Sequence, residues 1–292
     1  MAQERTVTSA DGTKIVAEAI GNPSKPSVVF IPGLACTYLV FDKQFNDAEL
    51  QENLYMVRYD LRGHGRSDCP EGIEAYSAQK MAEDFRAVCE AFGLKKPFLL
   101  GWSLGTMMAA DVAAYYGLDY LSGQVLLGGP MITLSLGMQA CTAELMALAP
   151  SVLSTDASIT REVAVAYVDG CVGDPAVDLS WETKLQWMGG FVCVPPSVRG
   201  YYLQREQDAT RYLAEAKEWP VLVIQGTEDK HTRADMVAKQ AKETFNKLDI
   251  HIMKGVGHAP HWERPDEFKR FVLDYVRNVA KVGKSHPIHT GH

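Results

Sequence analysis

Apolar residues in this chain fall into short runs that alternate with stretches of helical spacing. Segments 14–20 (KIVAEAI), 27–32 (SVVFIP), 55–60 (YMVRYD), 97–101 (PFLLG), 123–129 (GQVLLGG), 220–226 (PVLVIQG) and 249–255 (DIHIMKG) are rich in aliphatic residues. Gly, Pro, Asn or Asp bound most of them, which predicts strands. After the third, Met81, Phe85, Val88, Cys89 and Phe92 recur at helical spacing, with Ser77 placed as N-cap and Gly93 as stop. Further helices are predicted over 104–117, over 233–244 and from Pro265 to Asn278, the last with proline where a missing N–H costs nothing. Strands alternating with helices imply a mostly parallel sheet covered on both faces, an α/β fold.

One stretch breaks the alternation. From Met131 to Trp219 no strand is evident, and short helical patterns are separated by Pro, Gly and Asp. The expected organisation is therefore a core built from 1–130 and 220–280, an inserted all-helical cap over 131–219, and a frayed, flexible tail over 281–292.

Composition narrows the class further. The chain has 292 residues, 47% hydrophobic and 22% charged, and a net charge of -7. This is ordinary for a globular protein and gives no reason to bind nucleic acid or an anionic membrane. The polar N-terminus lacks the apolar core of a secretory signal, and no run approaches a membrane span. Six scattered cysteines without CxxC pairs read as reduced thiols, so a cytoplasmic location is expected. The oligomeric state is not legible.

Chemistry concentrates at five places. Gly101-Trp102-Ser103-Leu104-Gly105 lies between a strand and a helix, where a tight turn would project the serine hydroxyl out of the sheet. By itself the motif is weak, since a lone serine there is as readily a helix cap. Asp229 follows the strand at 220–226, and His258 follows the strand at 249–255. Together they offer a nucleophile, a base that titrates near neutrality and a carboxylate to orient it. Glu228 is a second possible carboxylate, with Asp229 preferred. Pro32-Gly33-Leu34-Ala35 can aim a backbone N–H at a developing oxyanion, so Leu34 and Leu104 are the candidate oxyanion donors. The loop Asp60–Ser67 reads as a brace for that region, with His64 packed rather than catalytic; His261 and Trp262 also read as structural.

With VVFIPGL, YDLRGHGRSD, LLGWSLG, VLVIQGTEDKH and GVGHAPHWERPDEF in this order, the chain resembles the α/β-hydrolase fold superfamily. The resemblance is to its capped esterase, lactonase and non-haem haloperoxidase-like branch, and covers the chain outside the cap. It implies acyl transfer to Ser103 with Asp229 and His258, an oxyanion hole at Leu34 and Leu104, and neither metal nor organic cofactor. Two departures stand out: Pro32-Gly33 where many relatives carry His-Gly, and Thr106 where a further glycine is common. Relatives that open epoxides or displace halide carry Asp at the elbow, which Ser103 excludes. The expected activity is hydrolysis of carboxylic esters of small to medium apolar acyl or aryl groups. Alternatives are a lactonase, a carbon–carbon bond hydrolase, or a small-molecule receptor that retains the triad. A thioesterase acting on coenzyme A esters would need a basic phosphate site, which is not evident. The cap's methionines and aromatics suggest an apolar pocket, with Trp102, Met131, Trp187 and Met188 as candidate substrate-binding residues and Arg199 and Arg205 on the surface.

Overall fold

The computed structural model describes residues 2–129 and 132–285. Its centre is one eight-stranded sheet: β1 (Gln3–Thr8), β2 (Lys14–Gly21), β3 (Ser27–Ile31), β4 (Tyr55–Tyr59), β5 (Phe98–Trp102), β6 (Gly123–Leu127), β7 (Val221–Gly226) and β8 (Leu248–Met253). The spatial order is β1-β2-β4-β3-β5-β6-β7-β8. The β1–β2 and β2–β4 pairs are antiparallel, and every pair from β4 through β8 is parallel. Helices cover both faces of such a sheet, so its central strands read as continuous apolar runs. Strands β5, β6 and β7 are buried along their whole length.

Two elements depart from the sequence-based expectation. The hairpin strand β1 is not predicted, because its sequence QERTVT is polar and only Val7 turns inward at the sheet edge. The final helix runs from Pro265 to Ser285 instead of stopping at Asn278, so the first residues of the expected tail are helical. The remainder of that tail, 286–292, lies outside the described residues. The helix Ala78–Ala91 begins after Ser77 as expected, but the Ser77 side chain makes no capping hydrogen bond.

Between β6 and β7 the described residues hold helices Leu134–Ala140, Ala143–Val152, Ala157–Asp169, Pro175–Asp178, Trp181–Cys193, Pro196–Gln204 and Thr210–Glu215. Thr133, Thr142, Asp156, Asp174 and Ser180 each accept a backbone N–H at a helix start. These polar caps explain why short segments separated by Pro and Asp hold helical form. Arg205 and Asp111 tie this insertion to the core as a buried ion pair at 2.8 Å. Arg199 lies inside the insertion, donating to the carbonyls of Val152, Phe191 and Val194. The expectation that these two arginines lie on the surface is therefore corrected: both are buried because they satisfy groups that would otherwise be orphaned. Among the described residues, no helix is long and apolar enough to cross a membrane.

Candidate active site

Ser103 sits where β5 gives way to helix, with φ +53, a left-handed conformation unusual for a residue with a side chain. The turn is possible because its neighbours lack Cβ atoms. A Cβ on Gly105 would collide with the carbonyl oxygens of Ile31 and Pro32, and one on Gly101 with the Gly105 backbone. Gly33 brings the preceding loop against Ser103, where an added Cβ would stand 3.2 Å from the serine Cβ. Thr106 Oγ1 donates to the Ser103 carbonyl at 2.7 Å, fixing the first helical turn.

The two other loops meet next to Trp102, the residue before Ser103, which packs on His258. Asp229 Oδ2 and His258 Nδ1 are 2.7 Å apart and both residues are buried. The carboxylate is held on every side. Its Oδ1 accepts the backbone N–H groups of His231 at 2.7 Å and Thr232 at 2.8 Å. Its Oδ2 also accepts from Gln225 Nε2 and Thr232 Oγ1, each at 2.7 Å. Burial by itself would raise the Asp229 pKa, but His258 and these donors bring it below the usual carboxylate value. The group is therefore ionised and accepts a hydrogen bond from His258 Nδ1. That leaves His258 Nε2, buried and without a hydrogen-bond partner, as the ring's acceptor. Trp102 Nε1 donates to the His258 carbonyl at 2.8 Å, and Gly257 N–H donates to Glu263 at 2.9 Å, fixing the loop on both sides of the imidazole. Glu228 is exposed and takes no part.

The loop after β3 is braced from the core by a histidine. His64 Nε2 accepts the Ala35 N–H at 3.0 Å, and His64 Nδ1 donates to the Arg62 carbonyl at 3.1 Å. Accepting at Nε2 requires a neutral ring, and burial pushes the His64 pKa down to about 4. His261 is likewise buried and pushed down to about 3, packed on Trp102 and Phe41.

A cavity of about 170 Å³ opens beside Ser103. Leu34, Leu104 and His231 of the core line it together with Tyr167, Met138 and Leu203 of the insertion. Three of the sequence-based pocket candidates are not in this wall. Trp102 is committed to the His258 carbonyl and to packing against Trp187, which also packs on Trp262. Met188 packs partly buried against the core. Met131 lies outside the described residues. Tyr167 and Thr232 join the site without any motif to mark them; Gln225 and His231 lie inside the segment VLVIQGTEDKH, where the sequence reading gives them no role. A larger groove of about 870 Å³ lies at the amino ends of β3, β5 and β6, lined by residues such as Ser27, Phe98 and Ser122. Ser103, Asp229 and His258 all follow the carboxyl ends of strands, where ligands bind in open α/β sheets. Among the described residues no three His, Cys, Asp or Glu side chains are grouped to hold a metal ion.

Comparison with known proteins agrees with this architecture. The loops that carry Leu34, Ser103, Asp229 and His258 all fall within residues 28–271, which match the model of the alpha/beta hydrolase family. AB hydrolase superfamily protein YisY of Bacillus subtilis is 23% identical over 278 residues, covering 92% of this chain and 97% of that protein. EphD of Mycobacterium tuberculosis is 40% identical over 84 residues, but the chain spans only 14% of that protein's length. The crystal structure of the esterase RhEst1 from a Rhodococcus species superposes with a TM-score of 0.85 at 26% identity, covering 94% of this chain and 99% of that one. The chain belongs to the alpha/beta hydrolase family.

Proposed function

We propose that this α/β-hydrolase cleaves carboxylic esters of small to medium apolar acyl or aryl groups through an acyl-enzyme on Ser103. The observation that carries the reading is the left-handed serine at the end of β5, lining an apolar cavity, with the buried Asp229–His258 pair packed on the adjacent Trp102. The likeness to the esterase RhEst1 supports ester chemistry.

In this mechanism His258 Nε2 takes the Ser103 proton as the hydroxyl oxygen attacks the ester carbonyl. Asp229 holds the Nδ1–H tautomer and stabilises the imidazolium that forms. The N–H groups of Leu34 and Leu104 receive the oxyanion; such donors are worth about 3 kcal/mol each in the transition state. His258 then returns the proton to the leaving alcohol, and a water molecule repeats the sequence to release the acid. A lactone would follow the same steps, with the alcohol still attached to the acyl group.

Two measurements test the proposal. Ser103→Ala should lower kcat by about 10⁶ with little change in melting temperature, and a fluorophosphonate should label Ser103. Retention of more than a few per cent activity, or labelling at another serine, would defeat the assignment. Across p-nitrophenyl esters, kcat/KM should climb about fourfold per methylene from acetate to butyrate or hexanoate, as each buried methylene contributes about 0.8 kcal/mol. It should then fall once the cavity is full. A profile still rising at palmitate would mean an open groove, and activity on lactones alone would move the assignment to a lactonase.

A further inference from the structure

Among the side chains that the insertion brings to the cavity beside Ser103, Tyr167 also hydrogen-bonds the loop after β3. Tyr167 lies in the helix Ala157–Asp169, and its hydroxyl donates to the Leu34 carbonyl at 3.2 Å. That carbonyl and the Ala35 N–H belong to the same peptide plane. His64 Nε2 holds the N–H end at 3.0 Å, so the plane is gripped at both edges, once from the core and once from the insertion. Cys36 Sγ adds only a weak contact to the Leu34 carbonyl at 3.4 Å.

The grip has a purpose in backbone terms. Ala35 has φ +56, a conformation that an alanine does not keep unaided. Turning the peptide over would return Ala35 to negative φ while carrying both polar groups away from their partners. On the other side of Leu34, Gly33 packs against Ser103. Fixing the plane after Leu34 therefore limits the freedom of the Leu34 N–H, the proposed oxyanion donor. Because the Tyr167 hydroxyl is committed to the backbone, the cavity meets the tyrosine ring.

Tyr167 is itself held firmly. Its ring lies 4.8 Å from that of His231 and 5.2 Å from that of Phe191. Just beyond it, Gly170 packs so closely on His231 that an added Cβ would stand 2.8 Å from Nε2. Gly173 N–H donates to Glu263 at 3.0 Å, and Lys230 Nζ donates to the Gly173 carbonyl at 3.1 Å. One segment of the insertion thus contacts the oxyanion loop, the acid loop and the histidine loop together. We infer that Tyr167 is a positioning residue for the oxyanion hole, and that residues 167–173 are a fixed part of the active site. The inference rests on the reading of Ser103 and Leu34 given above.

The test compares Tyr167→Phe with Ser103→Ala on p-nitrophenyl butyrate. For Tyr167→Phe, kcat and kcat/KM should fall together by about 10- to 30-fold, less than the 10²- to 10³-fold lost when a donor is removed outright. KM should stay within about twofold, and the acid limb of the pH profile should not move, because the base is untouched. Inhibition by butylboronic acid, which adds to the serine as a tetrahedral mimic, should weaken by the same factor, while inhibition by butyrate should not. Should Tyr167→Phe fail to fold, His64→Ala, which frees the other edge of the same peptide, must show the same kcat-only loss. An inactive Ser103→Ala beside an undiminished Tyr167→Phe would overturn the tether alone. A raised KM at constant kcat would make Tyr167 a binding residue and also overturn it. Activity surviving Ser103→Ala would overturn the reading of the site and the tether with it.

Discussion

Replacing Asp229 with asparagine exchanges one acceptor oxygen for a donor, and its surroundings decide which. The two N–H groups on Oδ1, from His231 at 2.7 Å and Thr232 at 2.8 Å, belong to the backbone and cannot reverse. The asparagine oxygen must therefore face them, which sends its NH₂ to the Oδ2 position. There it meets Thr232 Oγ1, Gln225 Nε2 and His258 Nδ1, each at 2.7 Å. The threonine hydroxyl can turn to accept. Gln225 can turn only by giving up its 3.1 Å bond to the Gly226 carbonyl. His258 can accept only by moving its proton to Nε2, the nitrogen that must take the serine proton. The expected result is a fall of roughly 10⁴ in kcat, equivalent to about 5 kcal/mol of barrier. Stability should drop by about 1–3 kcal/mol from the donor–donor contact left at Gln225. Glu228→Gln is the control: its exposed side chain should leave kcat within twofold. The assay is kcat and kcat/KM for p-nitrophenyl butyrate from pH 5.5 to 9, with urea melts on the same proteins. An Asp229→Asn enzyme keeping a tenth of its activity, or a Glu228→Gln enzyme losing more than it does, would refute the reasoning.

Two further outcomes follow from packing and burial. Gly105→Ala drives a Cβ into the backbone oxygens of Ile31 and Pro32 and should cost about 3 kcal/mol or more along with activity, whereas Gly189→Ala, with nothing within 4 Å, should gain about 0.5–1 kcal/mol. A neutral or stabilising Gly105→Ala in urea melts would mean the elbow is looser than the structure shows. His64, at about 4 when folded against an ordinary 6.5, binds its proton more readily unfolded, so its contribution is complete above pH 6.5 and fades as pH falls toward 4. Wild type should therefore lose about 3 kcal/mol more than His64→Gln between pH 7 and 4, and parallel stability curves for the two proteins would contradict this.

Much of the fold is legible because burial on both faces writes itself into a strand as an unbroken apolar run, as in β5 and β7. The same logic hides β1, whose edge position buries a single side chain. The three loops proposed to react are marked in the sequence by order and context: serine, aspartate and histidine each follow a strand. What a one-dimensional pattern cannot convey is which way an aromatic faces once helices pack. Trp102 and Trp187 have the composition of a pocket wall, yet the first supports the histidine loop and the second fills the space behind it. Tyr167 carries no local mark either, since its partner Leu34 is 133 positions away.

The two glutamines inside the buried strands differ from the other polar residues, because burying an amide in a sheet core is costly unless its groups are matched. Gln225 directs its amide to Asp229 and to the Gly226 carbonyl. Gln124 in β6 donates to the Thr106 carbonyl at 2.9 Å and accepts from the Tyr212 hydroxyl at 2.6 Å. Thr106 in turn holds the Ser103 carbonyl, so this glutamine stands one residue removed from the elbow. Both conflicts with the apolar pattern thus resolve onto the groups that orient the proposed nucleophile and its acid. An amide that breaks an otherwise apolar strand marks the candidate site here, whereas the buried Arg58 of β4 pairs with Glu18 and Asp42 instead.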